Sequence, residues 1–146
     1  MKTADVVVIG GSAAGLTAAI TSRRHYPDKS VLVIRKEKEV LIPCGIPYIF
    51  GTLGSCNKNL IPDAALEKNN VELLIDEVTE IDTESKIITT KTGEKTKYDR
   101  LVIATGSEPL SPPIPGSDKK GVYAIKKDVS HLQKMISALD KSKNVV

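Results

Sequence analysis

The sequence predicts an α/β fold built on a parallel sheet, with an antiparallel β-meander inserted late in the chain. Three observations carry that prediction. Residues 6–9 (Val-Val-Val-Ile) form a short, unbroken run of β-branched side chains, as a strand buried on both faces requires. Gly10, Gly11 and Gly15 follow at once and lead into an alanine-rich helical stretch through Leu16 and Ile20. A second apolar run at 31–34 comes after a Pro27-Asp28 turn, which closes a strand–helix–strand unit of about 30 residues.

The first of these segments already points to chemistry. A strand, a glycine turn and a helix in succession place unpaired N–H groups of a helix N-terminus where a nucleotide pyrophosphate can sit. Gly10 permits the tight turn and Gly15 the close packing of helix on strand. Ser12 replaces the middle glycine of the G-x-G-x-x-G pattern. It is small enough to admit the phosphates, and its hydroxyl can donate to one. The bland alternative is a turn that serves packing alone. The helix is expected over 13–25, and the second strand lies parallel beside the first.

A dinucleotide fold usually carries an acid at the end of its second strand, for the adenosine ribose. This chain reads Arg35-Lys36-Glu37. Either Arg35 and Lys36 face a 2′-phosphate, or Glu37 reaches the ribose from slightly further on, or the stretch is a solvated charged loop.

Next comes Val40-Leu-Ile-Pro-Cys-Gly-Ile-Pro-Tyr. Proline favours the first helical position, so a short helix is expected to begin at Ile46 or Pro47, with Cys44 just before it. A helix N-terminus favours the thiolate of such a cysteine; the alternative is a small core residue. Cys56 lies in a polar loop and has no such setting.

A short helix is expected over 63–69 and a third strand over 71–75. Segments 77–82, 86–90 and 95–98 read as a meander of short antiparallel strands, with a turn at 91–94. A further apolar strand at 100–104 ends in Thr105-Gly106, where a glycine past a strand's carboxyl end lets a ligand approach the backbone. Residues 109–115 hold four prolines and read as an extended connector. A short strand is expected at 122–125. Asp128 then caps a helix whose apolar face is Leu132, Met135, Ile136 and Leu139. Residues 144–146 look like the opening of another strand.

Composition narrows the function classes. The 146 residues carry a net charge of +3, with 27% charged and 40% apolar residues, which suits one soluble domain. That charge is too small and too scattered for a nucleic-acid partner. With one Phe, four Tyr and no Trp, the chain also lacks a stacking platform for single strands. No apolar run reaches the roughly 18–20 residues of a membrane span. The first strand begins so early that a secretory leader has no room, so a cytoplasmic location is expected. The two cysteines fit neither a disulfide framework nor a zinc ribbon. His25 and His131 have no partner at ligand spacing, so no metal is expected.

Four landmarks taken together carry a resemblance. They are the turn from Gly10 to Gly15, Pro43-Cys44-Gly45-Ile46-Pro47-Tyr48, the strand ending Ala104-Thr105-Gly106, and Pro112-Pro-Ile-Pro-Gly116. Their order and spacing resemble the N-terminal part of the pyridine nucleotide–disulfide oxidoreductases. Within them, the chain is similar to the single-cysteine branch of coenzyme A-disulfide reductases, NADH oxidases and NAD(P)H sulfur reductases.

The resemblance implies a Rossmann-like FAD-binding domain with an inserted meander, truncated. Gly10, Gly11, Ser12, Ala13, Ala14 and Gly15 would hold the FAD pyrophosphate. Arg35, Lys36 and Glu37 would lie at the adenosine, and Val78 would meet the adenine through its backbone. Pro43 would flank the cofactor, and Ala104, Thr105 and Gly106 would close over it. Cys44 would be the redox cysteine, cycling between thiolate and a mixed disulfide, persulfide or sulfenic acid. Arg23 and Arg24 match a basic pair near the phosphates of a thiol substrate.

NAD(P)H would be the electron donor, bound by a domain this chain lacks. The acceptor would be a small thiol or disulfide, sulfur or oxygen, and the full-length protein a homodimer. On this reading residues 1–143 are the N-terminal portion of the FAD domain and 144–146 the start of an NAD(P)H domain. Such a piece is expected to show little turnover by itself. Two rival readings are an NADP-binding dehydrogenase domain and a non-catalytic nucleotide-binding subunit.

Overall fold

In the computed structural model, which describes residues 1–146, the first strand is the middle of the fold. The strands are β1 (Lys2–Ile9), β2 (Val31–Arg35), β3 (Glu72–Ile75), β4 (Val78–Asp82), β5 (Ile87–Thr90) and β6 (Lys95–Ile103). The helices are α1 (Ala13–His25), the single turn α2 (Ile46–Tyr48), α3 (Ala64–Lys68) and α4 (Val129–Leu139). The chain forms two compact units, residues 1–40 with 61–106 and residues 41–60 with 107–146.

The first unit holds one six-stranded sheet in the order β3-β2-β1-β6-β5-β4. β1 pairs in parallel with β2, from Val6↔Val31 to Ile9↔Ile34, and with β6, from Lys2↔Thr96 to Ile9↔Ile103. β2 pairs in parallel with β3, while β4, β5 and β6 form the antiparallel meander. Strand order therefore runs one way from β1 through β2 to β3 and the other way to β6. The chain has its topological switch at the carboxyl end of β1, where open α/β sheets bind ligands.

Both faces of the central strands are covered, as their unbroken apolar runs require. Every residue of β2 is buried. Val8, Val31 and Val33 pack with Leu16 and Ala19 of α1 and Leu66 of α3. On the other face, Val7, Ile9, Leu32 and Ile34 pack with Ile88, Val78 and Ile81 of the meander. The inserted strands thus supply the second layer themselves.

Here one expectation is corrected. Segments 95–98 and 100–104 are not two strands; β6 is one continuous nine-residue strand. Its first half pairs antiparallel with β5, and its whole length pairs parallel with β1. The charged pair Asp99-Arg100 reads as a break in an apolar pattern, but both side chains are exposed, so the backbone ladder continues past them.

The second unit has its own core of Leu41, Ile46, Ile49, Cys56 and Leu132. Leu41 and Leu60 form an isolated antiparallel bridge. The Asp128 carboxylate caps α4 by accepting from the His131 N–H at 2.7 Å and the Ser130 hydroxyl at 2.8 Å. These bonds, the hydroxyl first, hold it below the usual carboxylate range. Leu132, Met135 and Ile136 face the core as the spacing predicts; Leu139 is half-buried outside it.

Residues 122–125 form no strand. No partner strand lies beside them, and Val122, Tyr123 and Ile125 are exposed. A β-favouring composition without a pairing edge makes no sheet. Residues 144–146 are irregular and exposed. No helix is long and apolar enough to cross a membrane.

Thr96 of β6 is fully buried, and its hydroxyl has no hydrogen-bond partner. Thr96→Val keeps the branched shape and removes the unpaired group, so it should stabilise the chain by about 1 kcal/mol. An upward shift of the urea midpoint at unchanged slope checks this; a downward shift contradicts the reading.

Candidate functional site

The turn after β1 is built by close backbone approach. Gly10 has φ +110°, and a Cβ there would lie 2.2 Å from the carbonyl oxygen of Ala104. A Cβ on Gly15 would lie 1.9 Å from the carbonyl oxygen of Gly10. Bare backbone at both points lets α1 begin directly beneath the end of the strand. The Gly10 N–H donates to Ile34 O at 2.8 Å, and the Ala104 N–H to Ile9 O at 2.8 Å. These two bonds tie the turn to β2 and β6.

The start of α1 suits an anion. Ser12 is the capping residue, with extended backbone, and its side chain makes no capping bond. The first turn carries no acid, and the last turn carries Arg23, Arg24 and His25. Charge therefore complements the dipole at the C-terminal end and leaves the N-terminal end unneutralised. Ala13 and Ala14 are exposed, and their N–H groups fall among the four that a helix cannot satisfy itself.

Beside this turn, at the carboxyl edge of the sheet, lies a cleft of about 180 Å³. Of the residues predicted from sequence, Gly10, Arg35, Lys36, Glu37, Val78 and Thr105 line it. The ends of β1, β2, β3 and β6 all contribute to it. Ala104 packs behind the turn, and Gly106, with φ +74°, turns the chain away from β6.

Sequence reasoning missed Asp76 and Glu77, which also line the cleft. The signal was present: they directly follow a strand of the parallel set, and all such strands end at one edge. The Asp76 carboxylate accepts hydrogen bonds from the Thr90 and Thr92 hydroxyls, which hold it below the usual carboxylate range.

Arg35 is a correction. Its guanidinium is not offered to a ligand: the residue is 2% exposed. It forms a two-pronged pair with Asp63, at 2.7 and 2.8 Å. It also donates to the carbonyls of Glu37 at 2.9 Å and Lys38 at 3.0 Å. Apolar neighbours and a fitted carboxylate draw a planar guanidinium inward more effectively than solvent holds it out.

Arg23 and Arg24 likewise do structural work. Arg23 donates to the carbonyls of Pro27 and Lys29, closing the turn after α1. Arg24 donates to the Asn69 side chain at 3.1 Å.

In the second unit α2 begins at Ile46, as expected, but a 3-10 turn over Pro43–Gly45 runs into it, and a wider turn over Ile49–Leu53 follows. Pro43, not Pro47, takes the first helical position. Its fixed φ suits that place, and it forces Ile42 to be extended. Cys44 therefore sits inside the first turn, and it is exposed.

Asn59, 2% exposed, backs this turn. Its amide donates to Ile42 O at 2.9 Å, and its side-chain oxygen would lie 1.9 Å from a Cβ on Gly45. Cys56 is the opposite of the incidental loop residue the sequence suggested. It is fully buried in the core of this unit, and burial pushes its thiol pKa up. No group of His, Cys, Asp and Glu side chains is arranged to hold a metal.

Comparison with known proteins follows the same lines. A family model described as pyridine nucleotide-disulphide oxidoreductase matches residues 4–146. An NADH oxidase of Methanocaldococcus jannaschii is 39% identical over 130 residues, covering 82% of this chain and 29% of its own length. An NAD(P)H coenzyme A polysulfide/persulfide reductase of Pyrococcus horikoshii is 37% identical over 123 residues, covering 81% of this chain and 28% of its own. Among solved structures, an NAD-dependent persulfide reductase from A. fulgidus is similar with a TM-score of 0.81 at 34% identity, over 94% of this chain and 27% of that one. The chain spans less than a third of the length of each of these relatives.

The two cysteines differ enough in exposure to be told apart chemically. With a soluble thiol reagent, the native chain should modify at Cys44 and spare Cys56, and both should react once denaturant is added. Mass mapping that finds rapid native labelling at Cys56 contradicts the burial described above.

Proposed function

Because this chain belongs to the pyridine nucleotide-disulphide oxidoreductases, we propose that its sheet-edge cleft holds the adenosine and pyrophosphate of FAD. We further propose that the whole protein is an NAD(P)H-dependent flavoprotein reducing a disulfide, persulfide or sulfur, or oxygen, through Cys44. One observation carries the reading. Gly10 of the glycine turn, Glu37 and Val78 line one cleft at the switch point of the sheet, and the uncapped N-terminus of α1 follows Gly10 directly in the chain.

The residues present fit such a group. The first turn of α1 carries no acid and no side-chain cap, and the N–H groups of a helix's first turn have no partner within the helix, which is what a pyrophosphate needs. Ser12 keeps its hydroxyl free to donate. Glu37 and Asp76 offer acceptors on the cleft wall to ribose hydroxyls. When bound, FAD supplies the two-electron redox chemistry that amino-acid side chains lack.

The same wall argues against an NADP site. Arg35 is spent on Asp63, and the neighbouring carboxylates repel a 2′-phosphate. Lys36, on the same side, lies 3.9 Å from the Glu37 carboxylate.

Cys44 supplies the sulfur chemistry in this proposal. Its thiolate attacks a sulfur–sulfur bond of the acceptor, forming a mixed disulfide and expelling the other sulfur as a thiolate. Two electrons originating in NAD(P)H then cleave the mixed disulfide, restoring the Cys44 thiolate and releasing the second acceptor sulfur as a thiolate. The relatives named as coenzyme A persulfide and persulfide reductases support this acceptor class.

Incubation with FAD followed by desalting should leave a visible flavin band on the chain; a colourless protein would count against the site. Ser12→Asp separates binding from folding. Aspartate is a good helix cap, so α1 should keep or gain stability. Its charge at the pyrophosphate position should weaken FAD binding by roughly tenfold to a hundredfold. Unchanged affinity would place the pyrophosphate elsewhere. In the full-length protein, Cys44→Ser should abolish acceptor reduction while NAD(P)H still bleaches the flavin; surviving disulfide and sulfur reduction would remove Cys44 from the mechanism.

A further inference from the structure

Arg35 ties the glycine turn, the loop after β2 and the end of β3 together without offering its charge to the cleft. Its aliphatic stem runs beneath the glycine turn: a Cβ on Gly11 would lie 2.3 Å from Arg35 Cδ. Its Nε and one terminal nitrogen hold the carbonyls of Glu37 and Lys38, so the loop that presents Glu37 hangs on its guanidinium. Its own carbonyl accepts from the Asp76 N–H at 2.9 Å. The remaining capacity of the fork goes to both oxygens of Asp63.

Asp63 shows that this arrangement competes with an ordinary use of the residue. It occupies the capping position of α3, where aspartate normally accepts from a helix N–H, yet its side chain makes no capping bond. Its carboxylate is turned to Arg35 instead. A guanidinium with 1% side-chain exposure needs that counter-charge, because a buried ion that loses its partner is strongly disfavoured.

We infer that Arg35 and Asp63 are a positioning pair that sets the glycine turn and the Glu37 loop at the spacing a dinucleotide requires. The inference rests on the FAD reading above. Its physical content is preorganisation: the two walls are held before the ligand arrives, so binding does not have to order them. Lysine cannot replace Arg35. An ammonium has no fork to engage a carboxylate on one side and two carbonyls on the other.

The test uses the full chain with FAD as the probe. Asp63→Asn keeps the shape of the carboxylate and removes its charge; Arg35→Lys keeps the charge and removes the fork. Asp5→Asn is the control. Asp5 holds Ser30 and Lys29 at the amino end of β2, in the same unit but away from the cleft. FAD affinity, read by flavin fluorescence, should fall at least about tenfold in the first two variants and stay within about twofold in the control.

In the flavin-free chain, amide exchange should quicken at Gly10 and Leu16, whose N–H groups bond Ile34 O and Ser12 O. It should stay slow at Val6 in the middle of β1, whose N–H bonds Ser30 O. Wild-type affinity and unchanged exchange in both variants would overturn the inference, as would an equal loss in Asp5→Asn. Should the wild-type chain bind no FAD, the proposed function fails on its own, and the exchange comparison still decides whether the pair sets the turn.

Discussion

At the carboxyl end of β1, backbone segments approach more closely than any side chain allows. The Gly10 carbonyl fills the space where a Cβ of Gly15 would stand, and the Ala104 carbonyl fills that of Gly10. Strand, turn, helix and the far end of β6 are thereby locked into one junction. Because the carboxyl half of β1, Val6 to Ile9, is paired on both sides, the junction also sits where the strand order reverses. Sterics and topology select the same point.

Electrostatics then divides that point into two kinds of surface. The start of α1 presents N–H groups with no acid in the first turn of the helix. The ends of β2 and β3 present Glu37, Asp76 and Glu77. A ligand with an anionic middle and a hydroxyl-bearing end is matched by that division. Arg35, the obvious cation at the site, is withdrawn from it by Asp63. Had Arg35 faced the cleft, the same fold would favour a phosphorylated ribose.

The two cysteines illustrate how little a residue type says without its surroundings. Cys44 lies in a turn shaped by Pro43, Gly45 and the buried amide of Asn59, and its thiol faces outward. Cys56, a dozen residues later in a stretch of small polar residues, is sealed among Leu41, Ile46, Ile49 and Leu132. The first has the exposure that thiol chemistry needs. The second behaves as a small apolar core residue.

Much was legible in the chain itself, because local covalent and packing rules act over short spans. The β-branched runs, the glycines of the turn and the Asp128 cap each encode their structure within a few residues, and the strand–helix–strand order follows from them. Tertiary structure alone decided the matters that depend on distant partners. The Asp99-Arg100 pair does not break β6, because β1 continues the ladder past it. Residues 122–125 stay irregular, because no strand is offered to them. Asp76 reaches the cleft because parallel strands end at one edge. Arg35 turns inward because Asp63, nearly thirty positions away in sequence, supplies the one counter-charge that makes burial of a guanidinium favourable.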